Sequence, residues 1–306
     1  MENNNNLLPL VSVYVITYNS AETIVETLDS IYNQTYPRIE LVISDDCSKD
    51  STVLLCRNWA DAHKQRFERV AIVTTPVNKG ISANVNRAWD HCQGEWVKGM
   101  AGDDTLCTDA ISDYMDYLAN NRHVKALFGK CSYISSDAKK IQEMYAYHDY
   151  SFFSLSLEQK LDYLIFKGCY IPCTTFIFHR KTFLQKGIRC DERIPMLDDW
   201  PLWINILKSG VDLYYFDKET VGYRISEVSM STGTNISRLE HAHYQIFLLY
   251  LFKPIMHSGL YSYAIRRYVQ SKRETTNNIF WIVLNKVLKE CFGFTTAIVP
   301  PRPKII

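Results

Sequence analysis

The chain has 306 residues, 47% hydrophobic and 22% charged, with a formal net charge of +1. That composition is ordinary for a globular protein, and the length suits one large α/β domain with an appendage. The charge balance excludes a nucleic-acid binder, which carries a basic face, so a polyanionic ligand has to be met by a few local groups.

Nine cysteines lie scattered without a C-x-x-C pair, which argues against structural zinc. Their odd number and an Asn-rich start without a basic, apolar leader point to reduced thiols and a cytoplasmic location. No run approaches the roughly 20 apolar residues a membrane span needs.

In chain order, the β-branched run Val11 to Thr17 predicts a buried parallel strand that ends at Tyr18-Asn19-Ser20. Ser20 is a candidate cap for a helix carrying Ile24, Leu28 and Ile31 on one face. Pro37 breaks the chain before a second strand, Ile39 to Ser44, which runs into the polar loop Asp45-Asp46-Cys47-Ser48 and a helix with Val53, Leu54, Cys56 and Trp59. Val70 to Thr74 predicts a third strand, Asn78-Lys79-Gly80 a loop and Ile81 to His91 a helix. The fourth strand starts at Trp96 and meets Gly102-Asp103-Asp104. This alternation predicts a mostly parallel, doubly wound sheet with ligands at the carboxyl ends of its strands. Tyr18-Asn19, Asp45-Asp46 and Asp103-Asp104 then share one edge by topology alone.

A helix over Ala110 to Asn121 and a strand over Val124 to Gly129 follow. Aromatic residues gather from Tyr145 to Phe153, as a sugar-stacking lid or as core lining. A helix is expected over Ser156 to Lys167, a strand over Thr174 to Phe178 and a short helix over Arg180 to Lys186. Another helix starts at Leu197-Asp198-Asp199-Trp200-Pro201 and ends at Ser209-Gly210. Two short strands are expected at Asp212 to Phe216 and Val221 to Arg224, and the chain reads as helical from Ser237.

The first turn lacks G-x-G-x-x-G and there is no P-loop lysine, so a phosphate ligand calls for a metal held on acids. Four stretches in order carry a resemblance: Val13 to Ser20 with Ser30 to Pro37, Glu40 to Asp50, Asn78 to Ala83 with Asn86, and Gly102-Asp103-Asp104. Together they resemble family-two glycosyltransferases, inverting enzymes of the A-type nucleotide-sugar fold. The resemblance is close over residues 10 to 110, looser over 170 to 230, and absent beyond.

The resemblance implies a glycosyltransferase domain over 8–232, with a nucleotide-sugar half (8–107) and an acceptor half (108–232), followed by a helical region over 233–306. It implies a UDP-sugar donor, Mn²⁺ or Mg²⁺, and a saccharide or lipid-linked saccharide acceptor in bacterial surface polysaccharide synthesis. Peripheral contact with the inner face of the cell membrane would go with such an acceptor. Tyr18 would stack on the base and Asp46 would accept its imide N–H, with Thr17, Asn19, Asn78, Gly80 and Asn86 around the nucleotide. Asp103 would hold ribose or metal, and Asp104 the metal. Asp199 would be the general base, with Asp198 as its alternative. Trp200, Cys173 and Arg224 would serve the acceptor or phosphate.

Two departures stand out: Ala101-Gly102-Asp103-Asp104 where many members have D-x-D-D, and Ser226 where many have His. They leave open a non-catalytic nucleotide-sugar binding protein. A glycoside hydrolase using Asp103 and Asp199 as an acid pair is a third reading.

Overall fold

The computed structural model describes residues 8–135, 149–171, 173–225, 242–243 and 245–251. These form two compact units that interleave along the chain. The first holds residues 8–135, 173–190 and 211–225; the second holds 149–171, 191–210 and the described residues from 242 onward. Tyr145, Tyr147, Ser226 and most of the expected C-terminal helical region lie outside the described residues.

The first unit is a mixed α/β fold on an eight-stranded sheet. Its strands are β1 (Val11–Thr17), β2 (Ile39–Asp45), β3 (Arg69–Thr74), β4 (Trp96–Ala101), β5 (Thr105–Leu106), β6 (Ala126–Ile134), β7 (Ile177–His179) and β8 (Tyr214–Arg224). Its helices are α1 (Ile24–Tyr32), α2 (Thr52–His63), α3 (Ile81–His91), α4 (Ala110–Asn120) and, past β7, a short helix over Arg180–Lys186. The strand order is β3-β2-β1-β4-β7-β6-β8-β5. The neighbours from β3 to β4 are parallel, joined by helical crossovers, and β2 is buried along its whole length, as a strand covered on both faces must be. Beyond β4 the sheet changes character: β7 is antiparallel to both β4 and β6, and β8 is parallel to β6.

The register positions the site. Thr17 pairs with Asp45 and Ile16 with Ala101, so β1, β2 and β4 end level with one another. The backbone N–H of Asp46 reaches Thr17 O at 2.9 Å, and that of Gly102 reaches Ile16 O at 3.0 Å. The two acidic turns therefore leave the sheet on either side of Tyr18.

Three local expectations need correction. Ser20 does not cap α1, which starts at Ile24 after a turn in which Ser20 O accepts from Thr23 and Ile24. Cys173–Thr175 is a single 3-10 turn, and β7 begins only at Ile177. The two strands expected after Asp212 are one strand, β8, whose pairing with β6 slips around Lys130; a bulge keeps such a strand continuous across residues that read as a turn. Of the two readings of the aromatic stretch, Phe152 fits the core lining: it is fully buried in the second unit, with the Phe153 and Tyr163 rings each 5.3 Å away.

In that second unit, the helix over Leu157–Phe166 is capped reciprocally by Ser156 and Gln159. It packs against the helix over Asp199–Lys208, where Trp203 is fully buried and Trp200 Nε1 donates to Leu164 O at 2.9 Å. In chain order these helices are α5 (157–166) and α7 (199–208), and the short helix after β7 is α6.

In the first unit β6 passes β8 so closely that a Cβ on Gly129 would lie 2.6 Å from Thr220 Oγ1 and 3.0 Å from Tyr114 Oη. The Tyr114 hydroxyl is fixed there, donating to Thr175 O and sharing a hydrogen bond with Thr220 Oγ1 at 2.9 Å. Gly129→Ala is expected to lower stability by about 1–3 kcal/mol, as overpacking does in a tight core. A fall in the urea midpoint without a change in slope checks this.

Candidate functional site

Buried carboxylates need donors, and each strand tip meets that need differently. At the tip of β2, Asp45 accepts from Thr17 Oγ1 at 2.9 Å, from Ser48 N–H at 2.9 Å and from the Ser48 hydroxyl. Asn19, in the left-handed region at φ 52°, clasps the same loop. Its N–H donates to Ser48 Oγ at 2.8 Å and its Oδ1 accepts from Lys49 N–H at 2.8 Å. This clasp leaves Tyr18 at the sheet edge, 50% exposed.

Asp46 is buried and works on the next loop. Its Oδ2 accepts from Lys79 N–H at 2.9 Å and Gly80 N–H at 2.7 Å, just ahead of α3. Its Oδ1 accepts from Arg87 Nη2 at 3.2 Å. The carboxylate thus meets a helix N-terminus and a guanidinium at once. Gly80 sits at φ 90°, a conformation open to glycine, and this lets both N–H groups turn toward one oxygen. Asn78 precedes them and is exposed. Three of the carboxylate's roughly four acceptor positions are taken, leaving one for a ligand.

Arg87 is a residue the motif reading passed over. Besides Asp46, it donates to Ser44 Oγ at 3.0 Å, Asp45 O at 3.2 Å and Asn84 Oδ1 at 2.7 Å, while Asn84 Nδ2 donates to Thr17 O at 3.3 Å. Arg87 thus ties the tip of β2 to α3, and its partner Asn84 ties the tip of β1 to the same helix. The available signal was its place three residues after Asn84, on one face of α3. Asn86, expected at the nucleotide, has a different task. It is buried and pairs with the Cys190 backbone in both directions at 3.0 Å, fastening the chain that follows α6.

At the tip of β4, Asp104 is 1% exposed. Its Oδ1 accepts from the backbone N–H of Arg224 at 3.0 Å, and its Oδ2 is buried without a hydrogen-bond partner. Asp103 is part-buried, and its carbonyl accepts from Arg224 Nε at 2.7 Å. The turn is also held by α1, where Thr23 Oγ1 donates to Gly102 O and Thr27 Oγ1 to Asp104 O, both at 2.8 Å. Burial raises the Asp104 carboxyl well above its ordinary range and the Asp103 charge adds to this, against the pull of Arg224 and Lys98. Burial raises Asp103 as well.

Arg224, expected at phosphate, is spent on the fold. It is 3% exposed, and beyond Asp103 it donates to Ser135 O at 2.8 Å and pairs with Glu26 Oε2 at 2.6 Å. Lys98, also absent from the motif reading, is fully buried in β4. Its ammonium donates to Gly99 O and to Thr174 O, the latter at 2.6 Å, and burial pushes its pKa down to about 7. Cys173, part-buried at the start of the 173–175 turn, lies within the field of that ammonium.

Two carboxylates with one orphaned buried oxygen suit a hard divalent cation, which takes one or two protein carboxylates and completes its shell with phosphate and water. Among the described residues no group of three His, Cys, Asp or Glu side chains is placed to hold a metal, so such an ion would depend on its ligand for the rest.

In the second unit, Asp198 and Asp199 stand part-buried at the start of α7. Asp199 Oδ1 accepts from Trp200 N–H at 2.7 Å, and its Oδ2 lies 3.8 Å from Cys169 Sγ. Burial raises both acids, Asp198 to about 7 with the Asp199 charge contributing. Trp200, expected on the acceptor side, is buried and spends its indole N–H on Leu164.

The family model for glycosyl transferase family 2 matches residues 12–187. The chain is 27% identical over 229 residues to the UDP-Glc:alpha-D-GlcNAc-diphosphoundecaprenol beta-1,3-glucosyltransferase WfaP of Escherichia coli, across 74% of this chain and 81% of that one. Among solved structures, S. aureus TarS 1-349 in complex with UDP-GlcNAc has a TM-score of 0.61 at 18% identity, covering 92% of this chain and 77% of that one. The mannosyltransferase PcManGT from Pyrobaculum calidifontis, in complex with GDP-Man and Mn²⁺, has a TM-score of 0.58 at 19% identity, covering 94% and 82%. At those identities the two structures speak for the fold alone. Among the described residues no helix is long and apolar enough to cross a membrane.

The Arg87–Asp46 pair makes a prediction of its own. Arg87→Met keeps the aliphatic packing but strands a buried carboxylate, so a stability loss of about 3 kcal/mol is expected. Chemical denaturation measures it, and Arg87→Lys should recover only part, because an ammonium cannot reproduce the fork that reaches Ser44, Asn84 and Asp46 together.

Proposed function

The chain belongs to glycosyl transferase family 2 and is a glycosyltransferase; from that premise we propose that it moves a sugar from a UDP-sugar to a hydroxyl acceptor, with inversion, in polysaccharide synthesis. The observation that carries this reading is the level ending of β1, β2 and β4, which brings Tyr18, Asp46 and the Asp103–Asp104 pair to one edge. The exposed ring of Tyr18 offers a flat face to a base, and the free acceptor position of Asp46 suits the imide N–H of uracil. Thr17 and Asn19 shape the base pocket through the Ser48 loop, while Asn78 and Gly80 line its far side. The name of the WfaP relative supports UDP as the nucleotide and a lipid diphosphate-linked saccharide as the acceptor class, which would bring the enzyme to a membrane surface.

Asp104, through its unpaired Oδ2, and Asp103 would hold Mn²⁺ or Mg²⁺. When bound, such an ion neutralises charge on the leaving diphosphate. Asp199 takes the proton from the acceptor hydroxyl as that oxygen forms its bond to the anomeric carbon. The bond from that carbon to the diphosphate breaks on the opposite face, UDP leaves with the electron pair, and the configuration inverts.

Two outcomes test this. Asp199→Asn should lower kcat by about 10²–10⁴-fold, the usual worth of a general base. UDP affinity, read by calorimetry, should stay unchanged. Asp104→Asn, which keeps an oxygen for the Arg224 N–H, should abolish the gain in UDP affinity on adding Mn²⁺. If wild-type protein binds UDP equally with and without Mn²⁺, the metal assignment fails. If it does not bind UDP at all, the donor assignment fails.

A further inference from the structure

Two adjacent carboxylates do not ionise independently, and their surroundings decide which one keeps a proton. At the start of α7 the surroundings are unequal. Asp199 has a donor on each oxygen: Trp200 N–H on Oδ1 at 2.7 Å, and the Cys169 thiol on Oδ2 with the sulfur at 3.8 Å. The Asp198 side chain makes no capping hydrogen bond, and the donor acting on it is its own backbone N–H. We propose that Cys169 is a positioning residue that divides the roles of this pair: its S–H, together with the Trp200 N–H, keeps Asp199 as the ionised member, while Asp198 carries the proton. The inference deepens the reading of Asp199 as the base and rests on it.

The thiol is held in place by the packing of the second unit. Cys169 follows α5, and α5 is pinned to α7 by the bond from Trp200 to Leu164. The thiol also keeps its proton. Burial and the neighbouring Asp199 charge push it well above the usual thiol range, so the donor persists at every pH at which the enzyme would work. The thiol and the Trp200 N–H pull Asp199 back toward the charged form, against the rise caused by burial. Asp198 meets burial and a neighbouring negative charge, and its carboxyl rises to about 7.

Other titratable groups stand near the pair among the described residues. The Tyr163 hydroxyl donates to Asp149 Oδ2 at 2.7 Å, and Lys167 lies over the Tyr163 ring at 5.1 Å. Tyr170 acts on Tyr163, and His243 meets the Trp200 ring at 6.1 Å. With Asp198 protonated, the pair carries one negative charge and becomes neutral when Asp199 accepts the acceptor's proton.

Carbon-13 NMR of the full chain, labelled at the aspartate carboxyls and titrated without substrate, tests this. Two midpoints should be resolved for the pair, and the higher one, near 7, should vanish in Asp198→Asn. Cys169→Ala should raise the lower midpoint by about half a pH unit, as loss of a donor to a carboxylate does. Cys169→Ser, which keeps a hydroxyl donor, should not. An unmoved lower midpoint in Cys169→Ala, or a higher midpoint that survives in Asp198→Asn, overturns the proposal; a purely packing role would lower the melting temperature and move neither midpoint. If Cys169→Ala does not fold, the wild-type S–H stretch, identified by its absence from Cys169→Ser, should shift as the lower midpoint is crossed. A stretch independent of pH is then the overturning result. The titration needs no turnover, so it can fail while Asp199→Asn still abolishes transfer, and the reverse also holds.

Discussion

A carboxylate taken out of water at a strand tip has to be met by donors, and that constraint organises the first unit of this protein. Asp45 is met by Thr17 and Ser48, Asp46 by the α3 entry and Arg87, and Asp104 by the Arg224 backbone. In each case at least one donor comes from a segment distant in sequence. The acids therefore do more than occupy the edge: they fix which loops stand beside each other there. The loops over 45–48, 78–80 and 102–104 owe their arrangement to these bonds rather than to apolar packing.

The opposite end of the sheet provides a contrast. Glu40 is fully buried and its carboxylate is saturated: Ser12, Gln93 and Gly94 donate to one oxygen and Arg69 to the other. That acid is a structural fastening with nothing left to offer a ligand. Asp104 is as deeply buried yet keeps one oxygen unpaired. Leaving a buried charged oxygen unmet costs free energy that packing elsewhere has to offset, and natural structures tolerate it chiefly where a ligand completes the shell. The difference between two equally buried acids, more than burial itself, is what recommends the Asp103–Asp104 turn as the proposed ligand end of the sheet.

How much of this was legible in the sequence follows from the range of the interactions. The elements from β1 to α4, apart from the two-residue β5, read out nearly residue for residue, because β-branched runs, Pro37 and Gly80 act over a few positions. The common edge of Tyr18, Asp46 and Asp104 was legible too, since parallel topology dictates it. What escaped was long-range. Nothing local announces that Arg224 would close on Asp103 and Asp104 some 120 residues away. Its fork shape suggested phosphate, and burial spent it on carbonyls and Glu26. Thr23, Glu26 and Thr27 carried a weak signal, polar residues at helical spacing beside the apolar stripe of α1. Only the fold shows that stripe's neighbour to be the acidic turn. Bulged β8 failed for a different reason: a slip in pairing mimics a loop when only propensity is read.

Lys98 completes the argument about charge. An ammonium buried in a strand is disfavoured unless its three donors are used, and here they turn to Gly99 O, Thr174 O and the Met100 thioether. No ion pair forms with it among the described residues, yet the Asp104 charge raises its proton affinity and it lowers that of Asp104. The acidic turn thus lies in the field of two buried basic side chains, Arg224 and Lys98, whose side-chain donors go to carbonyls, Glu26 and the Met100 thioether rather than to the Asp104 carboxylate. Their positive charge permits carboxylates at this depth without closing Asp104 Oδ2. A direct salt bridge would have stabilised the turn more and left a cation nothing to bind, so fields supplied at a distance are what keep a buried acid both tolerated and available.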